Sequence, residues 1–116
     1  MSDNVFRDKS FRFALEIVNL YQYLQSLKEF VLSKQLLRSG TAIGALHREA
    51  EHAESKADFI HKMAIAQKEC NETLYWLELL RHSSILEEDR FSPVYESAQE
   101  LMRLLTSIIK TSKSSN

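Results

Sequence analysis

The residues best suited to chemistry are cations on one predicted helix. Between residues 30 and 48 the sequence carries Lys34, Arg38 and Arg48 and no acid. Together with His52 they recur at helical spacing on one side of that helix, where they could track the phosphates of a nucleic-acid backbone. An ordinary solvated helix face explains the same pattern. Nucleic-acid binding by these four residues is therefore a hypothesis with an open alternative.

Candidate catalytic and metal-binding groups are sparse. Glu49 and His52 have the Glu-x-x-His spacing of di-iron helical bundles, but such a site needs a second pair, and the sequence has none at that spacing. Cys70 falls on a predicted core position and should be unreactive. His47 lies on an apolar stripe, which is typical of a core histidine. We expect no catalytic site, no metal and no cofactor, and hence a protein that is not an enzyme.

Gly40 and Gly44 lie four residues apart inside the same predicted helix. Glycine costs about 0.5–1 kcal/mol relative to alanine in a helix interior, so the pair indicates that another backbone approaches closely. A phosphate-binding glycine loop is the rival interpretation, but the Lys-Ser/Thr and the strand of a P-loop are missing. We predict that both glycines serve helix packing.

The composition indicates which kind of fold must position these residues. The chain has 116 residues, 44% hydrophobic and 27% charged, with two glycines and one proline, which is typical of a single helical domain. Its formal charge of −1 gives no global field that would attract nucleic acid or anionic lipid. The N-terminus lacks a secretory pattern, and no apolar run approaches the roughly 20 residues of a membrane helix. We therefore expect a cytoplasmic protein with no membrane partner.

Apolar residues recur at helical spacing in four segments, at about 9–27, 32–53, 56–83 and 93–110. A polar tail follows at 111–116 and is expected to be flexible. Ser55 should cap the third helix, with Asp58 at the capping-box position. Ser92 and Pro93 should begin the fourth. The sequence thus predicts an all-α fold, an antiparallel up-down four-helix bundle that forms one domain over residues 1–116.

Two of these helices carry more apolar surface than one bundle can bury. The first has two stripes on nearly opposite sides, one with Phe13, Ile17, Leu20, Leu24 and Leu27 and the other with Phe11, Ala14, Leu15, Val18 and Tyr21. In the third helix Ile65, Trp76 and Leu79 lie about 100–160° from the core seam.

An uncovered stripe of this size exceeds what soluble monomers usually expose, so we predict a homo-oligomer. Its interface should include Phe11, Leu15, Val18, Tyr21, Ile65, Trp76 and Leu79. The alternative is that the helices cross steeply and cover both stripes of the first helix inside one subunit.

Several motifs together resemble those of bacterial four-helix bundle proteins encoded in intervening sequences of large-subunit ribosomal RNA genes. They are Leu36-Leu37-Arg38-Ser39-Gly40-Thr41-Ala42-Ile43-Gly44, Glu49-Ala50, Ser55-Lys56-Ala57-Asp58-Phe59-Ile60 and Tyr75-Trp76-Leu77-Glu78-Leu79-Leu80. The resemblance covers roughly residues 9–110. It implies an up-down bundle that assembles as a ring, commonly a homopentamer.

The chain is also similar to accessory proteins of diversity-generating retroelements, which bind a reverse transcriptase and its RNA through a basic surface. That resemblance makes six cations candidates for such a surface: Lys34, Arg38, Arg48, Arg7, Lys9 and Arg12. Two hypotheses follow, an oligomeric nucleic-acid-associated accessory protein and a structural scaffold that binds another protein. Net charge favours the scaffold, whereas the basic stripe and the resemblance favour the accessory protein.

Overall fold

A computed structural model describes residues 2–115, with side chains from residue 4 onward. Its elements are α1 (Ser2–Ser26), α2 (Leu32–Ala50), α3 (Lys56–His82) and α4 (Glu88–Ser114). Each helix packs against the next along the chain, and α4 returns to pack against α1. The result is the predicted all-α, antiparallel up-down four-helix bundle, with overall dimensions of 49 × 20 × 19 Å. None of the described helices is long and apolar enough to cross a membrane.

The core is formed by one stripe from each helix, as the helical spacing predicts. From α1 and α2 it takes Phe6, Phe13, Ile17, Leu20, Leu24, Leu36, Ile43 and Ala50, and from α3 and α4 it takes Met63, Ala66, Cys70, Leu77, Leu80, Val94, Ala98, Leu101, Leu105 and Ile108. Leu27 is an exception to the predicted stripe, because α1 ends at Ser26 and Leu27 lies in the following loop, 47% exposed.

The predicted start of α4 at Ser92 and Pro93 is wrong. The helix begins at Glu88, and Pro93 lies inside it. Two features outweigh the local capping signal: Leu86 is buried and anchors the chain just before the helix, and acids occupy the first turn. Carboxylates are favoured at that positive end of the helix dipole.

Other helix ends also differ from the prediction. α1 begins at Ser2 rather than near residue 9, since the buried Phe6 extends its core stripe by two turns. α2 ends at Ala50 rather than 53, and a turn follows. The range 111–116, expected to be a flexible tail, is helical through Ser114. Residue 116 lies outside the described residues.

The N-terminal cap of α3 is the predicted one. Ser55 has extended backbone, and its hydroxyl accepts a hydrogen bond from the Asp58 backbone N–H at 3.0 Å. The Asp58 carboxylate in turn accepts one from the Glu54 N–H at 3.2 Å. This exchange satisfies two backbone donors at the tight α2–α3 connection.

Gly40 and Gly44 lie where α2 meets α1. A Cβ added at Gly40 would lie 2.8 Å from the Ile17 side chain, which is too close without movement of that core residue. A Cβ at Gly44 would lie 3.3 Å from the Ser10 Oγ and 3.5 Å from the Ser10 carbonyl oxygen, so there it is the α1 backbone that approaches. Both glycines therefore lie in the α1–α2 contact, and Gly40 leaves less room for a side chain than Gly44 does.

We expect Gly40→Leu and Gly44→Leu to lower the melting temperature although leucine favours helix, because overpacking typically costs about 1–3 kcal/mol. Gly40→Ala should destabilise more than Gly44→Ala, since its contact is tighter. Thermal unfolding followed by circular dichroism measures this, with Lys34→Leu as the exposed control on the same helix. An unchanged or raised melting temperature for Gly40→Leu would contradict the packing role.

Candidate assembly and nucleic-acid interfaces

The second apolar stripe of α1 lies on the surface of the subunit. Phe11 is 54% exposed and Leu15 51% exposed, whereas Val18 and Tyr21 are half-buried. Steep crossing of helices within one subunit therefore does not cover this stripe. We call Phe11, Leu15, Val18 and Tyr21 the α1 face.

A groove of about 270 Å³ runs beside the α1 face, between α1 and α2. Phe11 and Ala14 line it from α1, and Thr41, Gly44 and Ala45 line it from α2. Small side chains and the close helix approach at Gly44 shape this groove, so it could receive a protruding side chain of another protein surface.

Two arginines also line the groove, and both have contacts within the subunit. The Arg48 guanidinium lies 5.7 Å from the centroid of the Phe11 ring, a cation–π contact worth about 0.5–1 kcal/mol at an exposed site. Arg7 Nε lies 3.5 Å from Glu51 Oε1. The edge of the groove thus carries positive charge next to an exposed aromatic ring.

A second apolar surface lies on the outer side of α3. Leu79 is 36% exposed, while Ile65 and Trp76 are half-buried, and Trp76 Nε1 donates a hydrogen bond to Glu72 Oε2 at 2.9 Å. Tyr75, 55% exposed, packs edge-on to Trp76 with ring centroids 5.2 Å apart. We call Ile65, Trp76, Leu79 and Tyr75 the α3 face. Sequence reasoning missed Tyr75, although an aromatic residue next to Trp76 and off the core seam is itself a signal.

The seven residues predicted to form an oligomer interface therefore fall on two separate surfaces. Four lie on the α1 face and three on the α3 face, with α2 between the two helices. The structure does not bring them together within one subunit.

The four cationic positions predicted on α2 are all exposed, but they do not form a uniform basic stripe. Arg38 Nη1 lies 3.1 Å from Glu69 Oε1, and Arg38 Nη2 contacts the Glu72 carboxylate. Two acids thus offset the charge of Arg38, whereas the Arg48 guanidinium lies over the Phe11 ring of α1. Lys34 is exposed in the first turn of α2, whereas His52, predicted on the same helix, is exposed in the turn after α2 ends at Ala50.

The acidic partners of Arg38 could be found only from the helix register. Thr73 Oγ1 donates a hydrogen bond to Ser39 Oγ at 2.9 Å, so this part of α3 lies opposite Arg38. In an antiparallel pair that register places Glu69 and Glu72 within reach of the guanidinium. The sequence of α2 alone contains no such signal.

The three α1 cations named by the resemblance are also spread apart. Arg7 pairs with Glu51, and Lys9 Nζ lies 3.0 Å from Glu100 Oε2. Arg12 is exposed beside a groove between α1 and α4 that Glu16 also lines. Partial burial raises the pKa of the Glu16 carboxyl, against a smaller opposing effect of its hydrogen bond with Ser97.

Three of the candidate groups for chemistry, Cys70, His47 and Glu49, lie in the interior or in an ion pair. Burial raises the pKa of the Cys70 thiol to about 12, and its Sγ donates to the Ala98 carbonyl oxygen at 3.3 Å. The buried His47 ring packs edge-on to Phe6, with centroids 5.0 Å apart. Glu49 binds Lys62 at 3.0 Å. In the described part of the chain no three His, Cys, Asp or Glu side chains are grouped so that they could hold a metal.

The sequence matches the family model described as 23S rRNA-intervening sequence protein over residues 2–107. It is similar to a crystal structure of a protein with unknown function from the S23 ribosomal protein family of Bacteroides thetaiotaomicron VPI-5482. The two share 55% sequence identity and a TM-score of 0.93, over 95% of this chain and 99% of that one. No curated protein matches the sequence.

The Cys70 environment predicts a thiol that reacts only after unfolding. At about pH 8 a pKa of about 12 leaves about a thousandfold less thiolate than the ordinary value of 9.0, and the core also excludes the reagent. Because the pKa of Cys70 is higher in the folded than in the unfolded chain, burial of the neutral thiol stabilises the fold fully below about pH 9. The free energy of unfolding then falls as the pH rises toward 12, since the thiol of the unfolded chain ionises first. A disulfide reagent should therefore react stoichiometrically in urea and negligibly without it. Rapid reaction of the native protein would contradict the assigned burial.

Proposed function

The chain belongs to the family of 23S rRNA-intervening sequence proteins, and from that premise and its uncovered surfaces we propose that it is a cytoplasmic, non-enzymatic, homo-oligomeric accessory protein associated with nucleic acid. The observation that carries the proposal is the exposure of Phe11 and Leu15 beside the α1–α2 groove. Side chains of this kind are usually covered when they occur in a contiguous patch.

The charges of the two apolar faces favour a head-to-tail assembly. Arg7 and Arg48 border the groove next to the α1 face, whereas beside Trp76 of the α3 face two carboxylates, Glu69 and Glu72, share one arginine, Arg38. Opposite charge at facing surfaces steers association and fixes its register. An isologous contact between two α1 faces would leave both α3 faces uncovered, but a head-to-tail contact covers one of each.

A head-to-tail contact repeats until it closes, so it generates either a ring or a filament. We propose a closed ring, and a homopentamer in keeping with the family resemblance. The protruding Tyr75 and Leu79 of one subunit would then lie against the α1 face and groove of the next.

Assembly also supports the nucleic-acid part of the proposal. Each subunit presents few exposed basic side chains, among them Lys34 and Arg48 on α2 and His52 in the turn that follows it. A ring repeats them, and linked weak contacts gain avidity when one polymer can engage several subunits at once. The contacts would be to phosphates and hence independent of sequence.

The absence of an enzymatic role is part of the proposal and is supported by the interior groups. Cys70 is buried and protonated, and His47 packs on Phe6 in the core. A group that acts on a substrate must reach it, and neither side chain is on the surface.

A scaffold that binds another protein is the second candidate, and a specific observation favours it. The two carboxylates around Arg38 remove the centre of the α2 stripe as a phosphate site, and the net charge of the chain is −1. On this alternative the same oligomer would present its surfaces to a protein partner. Nucleic-acid titration with the intact oligomer separates the two candidates.

The assembly predicts that Leu15→Glu dissociates the oligomer without unfolding the subunit, because it places a charge in the apolar contact while the core is unchanged. Sedimentation equilibrium measures subunit number, and circular dichroism measures helicity. Gln99→Glu, which adds the same charge at an exposed position on α4, is the control and should stay assembled. A wild-type protein that remains a monomer at all concentrations would rule out the assembly.

A further inference from the structure

A second group of cations lies on α4, away from the α2 stripe. Arg103, Lys110 and Lys113 are all exposed. Among the side chains described from residue 4 to 115, none of the three lies in an ion pair within 4.0 Å. From residue 101 to the end of the chain the sequence contains no acid. These cations differ from Arg38 because no described carboxylate lies within ion-pair distance of them.

Lys110 and Lys113 border a groove of about 480 Å³ between α3 and α4. Its lining consists of Gln67, Thr106, Ile109, Lys110, Lys113 and Ser114. A hydrogen bond of 3.0 Å from Gln67 Nε2 to Thr106 Oγ1 joins its two walls. Lysine, hydroxyl and amide groups are the side chains that most often contact nucleic-acid phosphates.

The helix dipole accounts for only part of this charge. Cations in the last turn of a helix offset its negative C-terminus, and Lys113 is in the last turn of α4. The effect falls off within about one turn, whereas Arg103 lies eleven residues before the end of α4 at Ser114.

We propose that this α3–α4 groove, with Lys110 and Lys113 in its lining and Arg103 two turns earlier on α4, binds the phosphate backbone of nucleic acid. The inference rests on the nucleic-acid part of the proposed function and moves the contact from the α2 stripe to a different surface. Arg103 and Lys110 are separated by about 10 Å along the helix axis, which suits a linear polyanion that follows α4.

An acidic protein segment fits this surface less well. Protein partners usually bind through apolar or aromatic anchors in a desolvated centre. The apolar lining residue of the groove, Ile109, is buried, and the remaining lining groups are polar or charged. The groove thus offers charge and hydrogen-bond donors without an apolar anchor.

The test compares two double variants that each remove two positive charges. Lys110→Gln/Lys113→Gln alters the α3–α4 groove, and Lys28→Gln/Lys34→Gln, the α2 variant, alters two exposed lysines at and just before the start of α2. Binding of fluorescently labelled oligouridylate to the full chain is followed by anisotropy over a range of salt concentrations. Circular dichroism and sedimentation confirm that each variant is folded and has the wild-type subunit number.

We expect the α4 variant to bind roughly tenfold more weakly, with the slope of log affinity against log salt reduced by about one to two. The α2 variant should lose clearly less affinity than the α4 variant. The reverse pattern, or equal losses in both variants, would overturn the groove assignment and leave the nucleic-acid role standing. No saturable binding by the wild-type oligomer would overturn both. Polyglutamate that competes as well as unlabelled oligouridylate would overturn nucleic acid as the occupant.

Discussion

The close approach of α1 to α2 at Gly40 and Gly44 determines which surface of α1 is buried and which is exposed. It fixes the rotation of α1, because Ile17 must fill the space above Gly40 and the Ser10 backbone must pass Gly44. With that rotation one apolar stripe of α1 enters the core and the other faces water. The surface available for assembly is therefore a consequence of packing inside the subunit.

Sequence patterns predicted the parts of the fold that depend on helical periodicity. The α3 seam, the stripe of α4 and the Ser55 cap are all found, because each follows from local spacing or local hydrogen bonding. The start of α4 was not predictable in the same way. Ser92 and Pro93 are a strong local signal, but burial of Leu86 is a tertiary effect that no window around Pro93 contains.

The same distinction applies to the candidate sites. The exposure of Phe11 and Leu15 followed from the two apolar stripes of α1. The ion pairing of Arg38, in contrast, depends on acids of another helix. Charge along one helix is thus a poor guide to a binding surface in a bundle. On this account α1 and α3 serve assembly, and the unmatched charge of α4 is left for a polyanion.

The central claim is that the α1 face of one subunit contacts the α3 face of the next. Mixing chains that carry Leu15→Cys with chains that carry Leu79→Cys, followed by a short bismaleimide, tests it directly, because the native Cys70 is buried. The account predicts cross-linked dimers that contain one chain of each kind. Cross-links only between identical chains, or none in an intact oligomer, would contradict it.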